Sequence, residues 1–160
     1  MNKTAEWLTL QQVHLTCKTH EEALCDALAD LTKRKLLAAD LGILGKDDRR
    51  LLDQFAYRYT RLQDDMGAKL VPAVLRALGE EITAMSVLDR LSRMEQLGWL
   101  PDAEQWGELR RIRNEFTHDY PETLLERFER LQLACASAQT LIEIFNTMHL
   151  KIQQRFPTLT

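Results

Sequence analysis

Eight consecutive residues carry the densest chemistry in the chain: Arg113-Asn114-Glu115-Phe116-Thr117-His118-Asp119-Tyr120, just ahead of Pro121. They bring together a guanidinium, an amide, an imidazole and a phenol. Arginine stays charged and grips phosphate oxygens with paired donors. Histidine titrates near neutrality, so it can give or take a proton. These groups suit phosphate-ester chemistry without a metal. Cleaving RNA in that way needs a base on the 2′-hydroxyl, an acid on the leaving 5′ oxygen and a cation beside the phosphate. The products would be a 2′,3′-cyclic phosphate and a 5′-hydroxyl.

Spacing limits how these groups can meet. In an unbroken helix Arg113 and His118 point about 140° apart, at about 100° per residue. Pro121 disfavours helical geometry at Tyr120, so the helix is expected to finish near His118. Either the helix end turns His118 back, or two copies meet across a symmetry axis. One histidine per chain also falls short of a separate acid and base, and a two-fold dimer supplies two.

The elements that position this stretch read as helices. The first is predicted from about residue 4 to the Lys33-Arg34-Lys35 cluster. Leu10, Cys17, Leu24 and Leu31 are spaced by seven. Val13, His20 and Ala27 follow the first three by three, which makes a seam for other helices. The basic cluster suits the negative end of the helix dipole. Residues 36–45 are apolar without a clean period and read as a packed connector. Asp47 or Asp48 can cap a second long helix. Its face is Leu52, Phe55, Tyr59, Leu62, Met66, Leu70, Ala73 and Ala77. Pro72 falls inside the pattern and predicts a kink near residues 68–72. Gly79 ends it.

A third helix is expected over residues 86–97. Ser86 and Asp89 form a capping box, Leu88, Leu91 and Met94 form its face, and Gly98 stops it. Asp102 caps a fourth helix with Trp106, Leu109, Ile112 and Phe116 on one side. The last helix is expected from about Pro121, with a stripe of Leu124, Phe128, Leu131, Cys135, Ala138, Ile142, Phe145 and Ile152. The Phe156-Pro157 pair marks its end. The whole reads as an all-α, up-and-down bundle of about five helices in a single domain, with one helix kinked at Pro72. The long stripes on the first and last helices exceed what one bundle covers, which again points to a homodimer.

Composition agrees. With 45% hydrophobic residues among 160, the chain can bury a core. Six Gly and four Pro suit long helices with short links. A net charge of −3 and a pI near 5.8 argue against a protein that coats nucleic acid broadly. A local basic cleft remains compatible with them. No apolar run is long enough to span a membrane, and the first residues lack the apolar region of a signal peptide. The three cysteines, Cys17, Cys25 and Cys135, form no CxxC pair and suit free thiols in a reducing cytoplasm. No cofactor is implied.

Other chemistry-bearing residues rank lower. His14, Cys17 and His20 form an H-x2-C-x2-H pattern. On a straight helix the two histidines stand about 120° apart and no fourth ligand is evident, so core positions are the better reading and no metal is expected. His149 reads as a core-edge histidine beside Phe145 and Ile152. Arg110 and Arg111 adjoin Arg113 and are candidate RNA-binding residues, with a solvated charge run as the plainer reading. Arg58 and Arg61 lie one turn apart and could line the cleft. Their plainer reading is intrahelical pairing with Asp64 and Asp65.

Arg-x4-His, with Asn directly after the Arg, resembles the HEPN ribonuclease motif. The longer Arg113-x4-His118-x-Tyr120 is similar to the signature of HepT toxins from HepT–MntA-type toxin–antitoxin pairs. The register around residues 58–78, with Leu62-Gln63-Asp64, also looks HepT-like. The resemblance covers roughly residues 50–150. It implies a helical homodimer with a composite interface site, acting as a metal-independent endoribonuclease on tRNA or mRNA. It also implies a minimal nucleotidyltransferase of the MntA type as antitoxin, which transfers AMP to the motif tyrosine. Carried over by position, Arg113 and His118 are catalytic, Asn114 supports them and Tyr120 is the modified residue. Two other readings use the same residues. One is a non-catalytic helical partner that presents substrate to a nucleotidyltransferase. The other is a plain helical interaction module without a site.

Overall fold

The computed structural model describes residues 3–118 and 123–157, apart from the side chains of residues 3, 4 and 118. Those residues form helices and connecting turns, with no strand among them. Helix α1 runs Lys3–Arg34 without interruption. Leu10, Cys17, Leu24 and Ala27 of its seam are fully buried, and His14 and His20 nearly so. It packs along α2 (Lys46–Asp65) and α3 (Val71–Ala77), and also touches α6 (Leu124–Arg155). Helices α4 (Val87–Gln96) and α5 (Ala103–His118) complete the bundle, and α5 lies against both α4 and α6.

Helices α2 and α3 form one rod interrupted by a π-turn over Met66–Leu70. Proline has no N–H for the helical ladder and clashes with the turn before it. Pro72 therefore stands in the first turn of α3, and the wider π-turn lies immediately ahead of it. The break expected at residues 68–72 is thus a change of helical pitch. Phe55, Tyr59, Leu62, Met66 and Leu70 keep their buried face through it.

Both glycine stops take the same form. Gly79 and Gly98 sit at φ of 88° and 81°, where a side chain would be strained. Glu80 N–H bonds Leu75 O, and Trp99 N–H bonds Met94 O, so each helix closes with a bond reaching back across its end. Ser86 caps α4 by accepting from Asp89 N–H, while Asp89 accepts from Ser86 N–H. Asp102 accepts from Glu104 N–H at the start of α5.

Several local expectations need correction. Neither Asp47 nor Asp48 caps α2. Gly45 occupies that position, and Asp48 instead takes a two-point ion pair from Arg34. The basic end of α1 is therefore tied to α2 as well as solvated. The connector contains a 3-10 turn, Ala38–Gly42, with Leu41 buried. Leu37 and Ile43 stay 67% and 81% exposed, so it is only partly packed. Leu88 is 74% exposed and does not join Leu91 and Met94. Helix α6 starts at Leu124, capped by Thr123, later than expected, because a hydroxyl accepting from Glu126 N–H satisfies the first turn. Pro121 itself lies outside the described residues.

The three thiols are free. Burial pushes Cys17 up to about 12 and Cys25 and Cys135 up to about 11, so all three stay protonated at neutral pH. His14 Nε2 and His149 Nδ1 meet at 2.7 Å between α1 and α6, and share a single proton between the facing nitrogens.

Burial first, then the neighbouring His149 and Lys18, push His14 down to about 4. The unfolded chain binds this proton near 6.5, so stability is full above that pH and is lost as pH falls toward 4. Chemical denaturation should show a decline on the order of 3 kcal/mol across that window. His14→Gln should reduce it, with His20 and His149, which burial also lowers, supplying what remains, and an unchanged slope would show that His14 titrates normally.

Candidate functional site

Three rings place the motif stretch. Phe55 and Tyr59 of α2 stack at 5.5 Å between centroids. Phe116 of α5 stands edge-on to both, at 5.8 Å from each. Such pairs add about 0.5–1.5 kcal/mol each beyond the area they bury. Tyr59 also donates to Ser137 Oγ of α6 at 3.3 Å, and burial keeps its phenol protonated. Arg130 of α6 donates to the Glu115 carbonyl at 3.2 Å. With Trp106, Leu109 and Ile112 buried beneath it, α5 is fixed against α2 and α6.

Arg113 then points at α2. Its Nη2 donates to Asp64 Oδ2 at 2.5 Å. Its Nη1 donates to Thr117 Oγ1 at 3.1 Å and to Asn114 Oδ1 at 3.4 Å. The side chain is only 17% exposed, and its Nε is buried without a partner among the described residues. The guanidinium is thus held in one orientation by a carboxylate, a hydroxyl and an amide. Helix α5 stays regular to His118, so on the backbone the two motif positions diverge and the helix does not turn back. The imidazole of His118, and Asp119 and Tyr120, lie outside the described residues.

The other arginines divide. Arg111 is held by Glu108 at 2.5 Å and Glu115 at 2.6 Å on its own helix, which raises its pKa further. It behaves as the solvated charge run. Arg110 pairs with no carboxylate among the described residues. Arg58 and Arg61 do not join Arg113. Arg58 Nη1 meets His20 Nδ1 at 3.0 Å, and Arg61 lies 3.5 Å from buried Asp65. Lys69 and His20 also approach Asp65, at 3.8 and 3.5 Å. Arg61, Lys69 and His20 of α1 thus meet at Asp65, while Arg113 uses Asp64. Within one chain Arg58 and Arg61 are thus engaged away from Arg113, and the Arg61–Asp65 contact is the intrahelical pairing of their plainer reading. Successive positions on a helix point about 100° apart, which separates the two acids.

His14, Cys17 and His20 are spent on separate contacts: His149 for the first, the core for the second, Asp65 and Arg58 for the third. Burial is the main cause lowering the pKa of His20, against the pull of Asp65. Among the described residues no group of three or more such side chains is placed to hold a metal ion.

Sequence reasoning missed the partner of Arg113 and the space beside it. Asp64 could be assigned to Arg58 or Arg61 by spacing alone. Only the approach of α5 to α2 gives it to Arg113. Next to this pair lies a groove of about 270 Å³ lined by Gln63, Asp64, Gly67, Ala68, Trp106 and Arg110. Gln63 is 2% exposed, and among the described residues neither end of its amide has a partner. A buried polar group in that condition costs about 1–3 kcal/mol.

Asp64 and Arg113 should be coupled in stability. A double-mutant cycle on Asp64→Ala and Arg113→Ala should return about 0.5–1 kcal/mol at low salt, because Asp64 is half exposed. Additive effects would show that the pair does not hold the guanidinium. In comparisons with known proteins, no family model, no curated protein and no solved structure matches this chain.

Proposed function

We propose that the chain is a HEPN-type, metal-independent endoribonuclease that acts as a toxin on tRNA or mRNA. The observation that supports it most is the fixed guanidinium of Arg113, five residues before His118 at the end of a buried-faced helix. Arg113 stabilises the charge on phosphorus, and His118 transfers the proton. Asn114, whose Oδ1 faces the guanidinium, helps to orient it.

A single chain does not complete this chemistry. The regular helix between positions 113 and 118 supports a site built from two copies, each giving one arginine and one histidine. Apolar side chains left in water support the same dimer. Leu124 and Leu125 stand exposed at the start of α6, a few residues after the motif. No helix among the described residues is long and apolar enough to cross a membrane. In this reading the cognate partner is a minimal nucleotidyltransferase of the MntA type, which silences the toxin by transferring AMP to Tyr120.

Protein made without any partner should cleave RNA in excess EDTA and leave 2′,3′-cyclic phosphate ends. His118→Ala should lose at least about a hundredfold in rate, the lower bound of a proton-transfer group, while the oligomer stays intact by sedimentation. Retained activity in that variant would overturn the mechanism. No cleavage by protein whose intact mass shows an unmodified Tyr120 would favour the non-catalytic partner of a nucleotidyltransferase.

A further inference from the structure

One aromatic ring is left in water among the described residues. Tyr57 of α2 is 55% exposed, while the other described aromatic rings are buried or half-buried. It is nevertheless held. The Arg58 guanidinium lies over its ring at 5.4 Å from the centroid, and the nearly buried His20 of α1 stands edge-on to it at 6.2 Å. Arg58 is itself fixed, because its Nη1 donates to His20 Nδ1. The ring is thus braced from the protein side and open toward solvent.

Tyr57 belongs to a stripe. Arg50, Gln54, Tyr57 and Arg61 follow one another by four, three and four positions, so they share one face of α2. Arg50 and Gln54 are exposed, and among the described residues Arg50 makes no ion pair. Arg61 is 43% exposed and only approaches Asp65, an acid it shares with Lys69. Its other N–H groups remain available to a phosphate. Asp53 and Asp64 border the stripe, and the second is already paired with Arg113. No aliphatic side chain stands on these four positions. A protein-binding patch built on a tyrosine needs an apolar core around it. A tyrosine set among arginines matches a nucleic-acid strand, whose bases stack on the ring and whose phosphates meet the cations.

We infer that this face of α2 binds unpaired RNA, with a base stacked on Tyr57 and backbone phosphates at Arg50 and Arg61. Bases in a duplex stack on each other and leave no face for Tyr57, so the strand must be single. The inference rests on the endoribonuclease reading for its role. Asp64 lies seven residues beyond Tyr57 on the same face, about 10 Å along the helix, and holds Arg113. A strand on the stripe therefore runs toward the guanidinium that attends the scissile phosphate.

Binding can be measured without cleavage. A fluorescein-labelled single-stranded 2′-O-methyl RNA, whose blocked 2′ oxygens cannot attack, is titrated with the full chain and followed by anisotropy. The same strand annealed to its complement is the control. Tyr57→Ala and Tyr57→Leu should each weaken single-strand binding at least about fivefold and leave duplex binding unchanged, while Tyr57→Phe should bind as the wild type does. Arg50→Gln should lower the slope of log affinity against log salt by about 0.7. Wild-type affinity in Tyr57→Ala or Tyr57→Leu would overturn the inference, as would an equal loss on the duplex. Tyr57→Ala protein that binds RNA normally but sediments as a smaller species would mark Tyr57 as a contact between protein chains, and would overturn it too. Binding that depends on Tyr57 in protein that cleaves no RNA would keep this surface and overturn the nuclease reading. Cleavage by protein whose binding ignores Tyr57 would do the reverse.

Discussion

The contact on which the site depends is the packing of Phe116 into the Phe55–Tyr59 pair. Phe116 lies inside the motif stretch, so its burial sets the rotation of α5 about its own axis. A helix turned by one position would carry Arg113 away from α2. The edge-to-face geometry resists such a turn more strongly than aliphatic packing would, because both the ring quadrupoles and the buried area are at stake. Tyr59 carries the constraint to α6 through Ser137. The site is therefore supported by three helices, although its named residues come from one.

That rotation decides the electrostatics. Asp64 and Asp65 are neighbours in sequence with different roles. Asp65 is buried, and two cations, Arg61 and Lys69, and the histidine His20 gather around it at ion-pair distances. That arrangement offsets the cost of removing a carboxylate from water. Asp64 is half exposed and serves a single guanidinium. The pair leaves Arg113 oriented and still near solvent, the condition a phosphate-gripping arginine needs.

The break in the α2–α3 rod links the fold to the groove. Pro72 forbids a regular ladder, and the π-turn that takes its place widens the helix opposite Trp106. Small residues at Gly67 and Ala68 leave the space unfilled. A feature read first as a kink thus becomes the wall of a cavity adjoining the site.

The sequence by itself determined the helical class, the helix order and most of the buried faces. It did so because apolar residues recur at helical spacing, and because Ser86, Gly79, Gly98 and Pro72 act through local backbone geometry. It also brought the motif to notice as an unusual concentration of residue types. It failed at Leu88, Leu37 and Ile43, where apolar character alone does not say whether a neighbouring helix arrives to cover it. The tertiary structure alone decided which acid holds which arginine. Asp64 reaches Arg113 across 49 positions of chain, and no periodicity encodes that approach. The docking of α5 on α2 sets it, through side chains that meet only once the bundle has closed.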